Sequence, residues 1–144
     1  MIVAGGSNVS LSSSCIGGQG KGRARVDVGL MVAGDATISL GDCGVTMCSS
    51  FGVKAHDSAR ISWESGSVSQ CRVGLMLGEE AEVRMRGSEV VGGDDGAAFY
   101  VEDRARYTAK LFLTDTWVPN APQSARRDTR CAALGSSPGR IMLW

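Results

Sequence analysis

The sequence predicts an all-β chain, a short parallel β-helix with an irregular C-terminal tail. Three observations predict it: a degenerate repeat, strict apolar–polar alternation inside each repeat, and turn-forming residues at fixed places between the alternating stretches. Five segments align without gaps: VAGGSNVSL (3–11), VAGDATISL (32–40), AHDSARISW (55–63), LGEEAEVRM (77–85) and VEDRARYTA (101–109), at offsets of 29, 23, 22 and 24 residues. Each reads apolar, three turn-like residues, small, polar, β-branched or aromatic, polar, apolar. Ser7, Ala36, Ala59, Ala81 and Ala105 hold the small position, followed by Val9, Ile38, Ile61, Val83 and Tyr107, then Leu11, Leu40, Trp63, Met85 and Ala109.

Alternation with period two marks a strand with one buried face. A second strand is expected around Ile16, Val45, Val68 and Val90. A third precedes each segment: Val28-Gly29-Leu30-Met31, Phe51-Gly52-Val53-Lys54, Val73-Gly74-Leu75-Met76 and Ala97-Ala98-Phe99-Tyr100, with Gly or Ala always second. Three short strands per repeat of 22–24 residues, about five repeats in all, stack equivalent residues about 4.8 Å apart in a solenoid whose neighbours bury one another's open faces. Leucine-rich repeats share the period, but no inter-strand stretch here has helical periodicity. Propeller blades need roughly 40 residues or more per repeat, and the hexapeptide period of left-handed helices is absent.

The cadence G-hydrophobic-x-V-x-[GD]-x-A-x-[VI]-x-L-x-x-[CS]-x-[IV], seen for instance as Ala36-x-Ile38-x-Leu40-x-x-Cys43-x-Val45, resembles the right-handed parallel β-helix repeats of the pectin-lyase-like superfamily over residues 1–113. The resemblance implies a right-handed single-stranded β-helix over 1–116; Pro119, Pro122 and Pro138 with scattered Ser and Gly rule out another repeat and predict an extended tail containing Pro and Arg over 117–144. It does not imply one activity, because this scaffold carries many. In the pectate lyases of that group calcium acidifies the substrate and an Arg acts as base; Arg104 is flanked by no motif that would give it that role.

Fifteen basic and fifteen acidic residues cancel. The balance is uneven: residues 1–116 carry −3 and 117–144 carry +3, so the tail is expected to touch something, its own body included. No apolar run approaches the ~18 residues of a membrane span, and no signal-peptide pattern opens the chain. Five Cys without a CxxC are expected to be reduced thiols in an intracellular setting, cytoplasmic, or organellar if the N-terminus is incomplete or processed.

Sites with chemistry are few. Asn8, Thr37, Arg60, Glu82 and Arg106 are expected to form an outward ladder, beside a hydroxylic one of Ser10, Ser39, Ser62, Arg84 and Thr108. Asp57, Glu79 and Asp103, with Glu80 alongside, form an acidic turn column, read as solvated rather than as a Ca²⁺ site. Asp94-Asp95 in a Gly-rich loop reads as a turn, His56 as a lone surface imidazole, and the stacked Cys48 and Cys71 as small apolar fillers. No catalytic residue, metal ligand or cofactor is expected.

The expected function is a non-catalytic structural or interaction subunit, a rigid block anchored in a larger protein assembly. The partner-binding residues are expected to be Trp117, Arg126, Arg127, Arg130, Ile141, Met142, Leu143 and Trp144 of the tail and Lys21, Arg23 and Arg25 of the basic loop, together with an uncapped N-terminal repeat. Nucleic acid is not expected as a partner. The competing reading is a carbohydrate-active protein, a polysaccharide lyase or hydrolase or a glycan-binding module.

Overall fold

The computed structural model describes residues 1–18, 26–102 and 108–118, the side chains of 93–97 excepted. Every regular element among them is a strand: β1 (Ile2–Val3), β2 (Asn8–Ser12), β3 (Cys15–Gly17), β4 (Val26–Val32), β5 (Thr37–Gly41), β6 (Gly44–Thr46), β7 (Cys48–Ala55), β8 (Arg60–Glu64), β9 (Ser67–Leu77), β10 (Glu82–Arg86), β11 (Glu89–Val101) and β12 (Lys110–Thr114). All the strand pairs are parallel. The strands form two sheets, one of five strands in the order β12-β10-β8-β5-β2, the other β1-β4-β7-β9-β6-β3 with β11 added on β9. Pairing of each strand with its counterpart one repeat away is compatible with a parallel solenoid.

The five-stranded sheet carries the alternation read from sequence. Val9, Ile38, Ile61 and Val83 lie in register, as do Leu11, Leu40, Trp63 and Met85. Their polar neighbours point outward, so β5 and β8 alternate buried and exposed residues. Burial of each such side chain stabilises by about 1.5–3 kcal/mol, which requires the strands above and below to be present.

The fifth position differs from the expectation. Val83 pairs with Leu111 and Met85 with Leu113, so Ala109, not Ala105, stands beside Ala81, and the spacing there is 28 residues rather than 24. Leu111 therefore replaces Tyr107 and Leu113 replaces Ala109 in the columns. The stretch Ala109-Lys110-Leu111-Phe112-Leu113 satisfies the same alternation with two large apolar residues to bury instead of one. The connection absorbs the four extra residues. Ala105, Arg106 and Tyr107 lie outside the described residues.

The third strand of each repeat keeps the expected register: Val28, Phe51 and Val73 align, as do Leu30, Val53, Leu75 and Phe99. The small second residue has a packing reason. A Cβ on Gly52 would sit 2.6 Å from Val68 Cγ1, 2.8 Å from the Gly74 carbonyl oxygen and 3.1 Å from Cys71 Sγ. Gly29 is in the same position against Val45 and Cys48, and Gly74 against Val90 and the Ala98 carbonyl. The glycine notch is what lets the two halves of the sheet close on each other.

Corners recur at fixed places. Ser13, Asp42, Ser65, Gly87 and Asp115 all adopt left-handed φ, between 47° and 57°, each two residues beyond the last apolar position of its strand. Short polar side chains and Gly tolerate that region best. Asp57 and Glu79 turn a second corner the same way, with Gly5 and Gly34.

The two ends are unequal. On the edge strand β12, Leu111 is 1% exposed and Leu113 2%, as buried as interior positions. On the opposite edge strand β2, Val9 and Leu11 are only half-buried.

Candidate functional site

The expected outward ladders exist with new last members. Asn8, Thr37, Arg60 and Glu82 continue to Lys110 in place of Arg106, and Ser10, Ser39, Ser62 and Arg84 to Phe112 in place of Thr108. Arg84 Nε lies 2.5 Å from Glu82 Oε1, and its guanidinium sits 4.8 Å from the Phe112 ring centroid. Both contacts are exposed and brace the surface.

The structure brings together two members of the acidic column, Asp57 and Glu79, at the second corner; Asp103 lies outside the described residues. The Gly34 N–H donates to Asp57 Oδ2 at 2.8 Å, and His56 Nδ1 stands 3.1 Å from the same oxygen. The Gly34 hydrogen bond first, then that from His56, hold the Asp57 carboxyl below its ordinary range. Among the described residues no cluster of three or more His, Cys, Asp or Glu is arranged to hold a metal ion. These groups brace a turn: Asp57 closes onto the preceding repeat, and His56 is tied to it rather than free.

Cys48 and Cys71 are fully buried, as expected of fillers, and Cys43 nearly so; Cys15 is exposed. The Cys48 Sγ donates to the Thr46 carbonyl at 3.6 Å and the Cys71 Sγ to the Ser69 carbonyl at 3.2 Å. The neighbouring Cys48 thiol holds Cys71 down at about 7, while Cys71 and burial push Cys48 up.

One concave feature was not singled out by sequence. A shallow trough of about 620 Å³ runs along the first corner, lined by consecutive residues of four repeats: Asp42 to Gly44, Ser65 to Ser67, Gly87 to Glu89, then Asp115 and Trp117. Among the described residues that line it are three carboxylates, Asp42, Glu89 and Asp115, and no basic side chain. Trp117 is 62% exposed at its end and is held by backbone pairing: its N–H donates to the Ser88 carbonyl, and its carbonyl accepts from Val90 N–H. Below the trough, Trp63 is fully buried, its Nε1 has no acceptor among the described residues, and the indole abuts Gly66, where a Cβ would collide with it. The readable signal was the corner position itself, which recurs two residues after each strand's last apolar residue.

Of the expected partner-binding residues, Trp117 is thus an exposed, anchored edge residue. Lys21, Arg23, Arg25, Arg126, Arg127, Arg130, Ile141, Met142, Leu143 and Trp144 lie outside the described residues. No helix among the described residues is long and apolar enough to cross a membrane.

The open strand edge is the remaining candidate surface. Among the described residues β2 pairs on one side alone, with β5. The Thr37 N–H donates to the Ser7 carbonyl and the Ser13 N–H to the Gly41 carbonyl. Alternation of a parallel ladder therefore turns the N–H and C=O of Asn8, Ser10 and Ser12 away from β5. Neither β1, β2 nor β3 contains a charged residue or proline.

Comparison with known proteins returned no matching family model, curated protein or solved structure.

Proposed function

We propose that this chain is a non-catalytic structural and interaction subunit, built as a rigid parallel β-helix of about five coils and seated in a larger protein assembly. The right-handed form follows from the near-universal hand of parallel crossover connections and agrees with the resemblance to pectin-lyase-like repeats. One observation carries the functional reading: the inequality of the two ends. Exposed strand edges are normally blunted by charge, proline or a covering element. The β2 edge has no charge and no proline, and leaves Val9 and Leu11 half-buried where their counterparts are covered. A partner polypeptide that adds a strand there satisfies the outward groups of Asn8, Ser10 and Ser12 and completes the burial.

The test uses Ser10→Pro in the full chain. Proline at this position removes an N–H that β5 does not use, so the fold is kept and the edge is blocked. The native mass of the tagged chain from its own cells is expected above the 15.0 kDa of one chain, falling to the monomer in Ser10→Pro. A monomer in both contradicts the proposal.

A further inference from the structure

The first repeat leaves one end of the stack open. Among the described residues β1 pairs with β4 alone, β2 with β5 alone and β3 with β6 alone. Met1 and Ile2 are 42% and 73% exposed there, and Val26, on the part of β4 that β1 does not reach, is 39% exposed. None of residues 1–18 has a charged side chain, so an acidic or basic segment finds no counter-charge on this end. What complements the edge is an uncharged strand with apolar residues at alternate positions, and β2 is itself such a strand. The opposite end has little burial left to gain, because Leu111 and Leu113 on β12 are already 1% and 2% exposed.

We infer that the occupant of the β2 edge is a second copy of this chain, paired antiparallel about a two-fold axis at Ser10. The inference rests on the reading of β2 as the assembly edge and names its partner. Register supplies the argument. The outward N–H and C=O groups belong to Asn8, Ser10 and Ser12. An axis at Ser10, perpendicular to the sheet, opposes Ser10 to its own copy and Asn8 to Ser12 of the partner subunit, so every outward group of the five-residue strand is bonded. The same register opposes Val9 to Leu11 of the partner subunit. That pair falls at a non-hydrogen-bonded site, where antiparallel strands come closest, with about 4.5 Å between Cα atoms. The axis keeps inner face with inner face, so both half-buried side chains are covered. An axis moved to Val9 would set Leu11 against a Ser7, and one moved to Leu11 would set Val9 against a Ser13. No like charges meet across the contact. Closed two-fold pairing is also the commonest symmetry of self-association.

Sedimentation equilibrium of the purified full chain, with no other protein present, tests it. Twice the 15.0 kDa of one chain is expected, with the mass halved in Ser10→Pro while the Ile61 amide stays protected from hydrogen exchange, showing the fold intact. Cysteine pairs in a Cys15→Ser background read the register and do not depend on the proline being tolerated. Ser10→Cys alone, and Asn8→Cys mixed with Ser12→Cys, are expected to form interchain disulfides, since the opposed Cα atoms stand about 5.5 Å apart. Asn8→Cys alone is expected to form none. A purified monomer overturns the second copy. If the assembly from cells still falls to a monomer in Ser10→Pro, the edge reading survives with a different polypeptide as occupant, and a monomer in both settings overturns both. A dimer that keeps its mass in Ser10→Pro and crosslinks in none of the cysteine variants overturns the β2 pairing, and Asn8→Cys bonded to itself overturns the register.

Discussion

Val83 stands in register with Leu111 on the neighbouring strand, four residues beyond the Tyr107 that regular spacing would place there. The pairing makes Leu111 a full member of the interior column that includes Ile38 and Ile61. Leu111→Ala is expected to cost about 2–5 kcal/mol, the range for truncating a buried Leu. Tyr107→Ala is expected to cost less. Urea unfolding followed by far-UV circular dichroism measures both, and the reverse ranking would restore the regular spacing.

The glycine notch yields a sharper contrast. Gly52→Ala drives a methyl into Val68, Cys71 and the Gly74 carbonyl, and an overpacked core loses about 1–3 kcal/mol. At Gly44 the nearest atom to an added Cβ is Ser67 Oγ, 3.7 Å away, so Gly44→Ala should stay within about 0.5 kcal/mol of the wild type. Equal effects in the same unfolding experiment would mean that the sheet halves do not close on Gly52.

Thiol reactivity reports the interior directly. Cys15 is exposed, whereas Cys43, Cys48 and Cys71 are buried. Brief alkylation of the native protein, read by peptide mass spectrometry, should mark Cys15 well before these three. Denaturant should level the rates. The depressed Cys71 thiol would otherwise be an efficient nucleophile near neutral pH, so its inertness would be evidence of burial rather than of protonation.

Asp57 makes stability depend on pH in a defined direction. Its carboxyl is held below the ordinary value by the Gly34 N–H and by His56. A depressed carboxylate contributes stability above its unfolded pKa, near 3.9, and loses it as pH falls through the folded value. Asp57→Asn keeps a residue tolerant of left-handed φ but removes the charge. The wild type is therefore expected to be the more stable of the two at pH 7, with the gap closing below about pH 4. A gap that widened on acidification would contradict the hydrogen-bonded carboxylate.

Much of the fold was legible because two constraints repeat along the chain. Ile38-x-Leu40 and Ile61-x-Trp63 announce strands by alternation, and Gly29, Gly52 and Gly74 announce close packing by lacking a Cβ. Registers inside the first four repeats follow from these alone. The last repeat misled because Ala105-x-Tyr107 and Ala109-x-Leu111 both fit the pattern, and sequence spacing does not reveal how much chain a connection spends between strands. The trough was illegible for a different reason. Asp42, Glu89 and Asp115 are separated by 47 and 26 residues along the chain and converge only because corners stack. A lone Asp at a turn carries no sign of its neighbours above and below.

The parallel, in-register stack carries the whole account, and nuclear Overhauser contacts among its methyl groups test it most directly. The account predicts contacts from Ile38 to Ile61, from Ile61 to Val83 and from Val83 to Leu111, in that order and without skips. Contacts from Val83 to Tyr107 in place of Leu111 would refute the register, and absence of the Ile38–Ile61 contact would refute the stack.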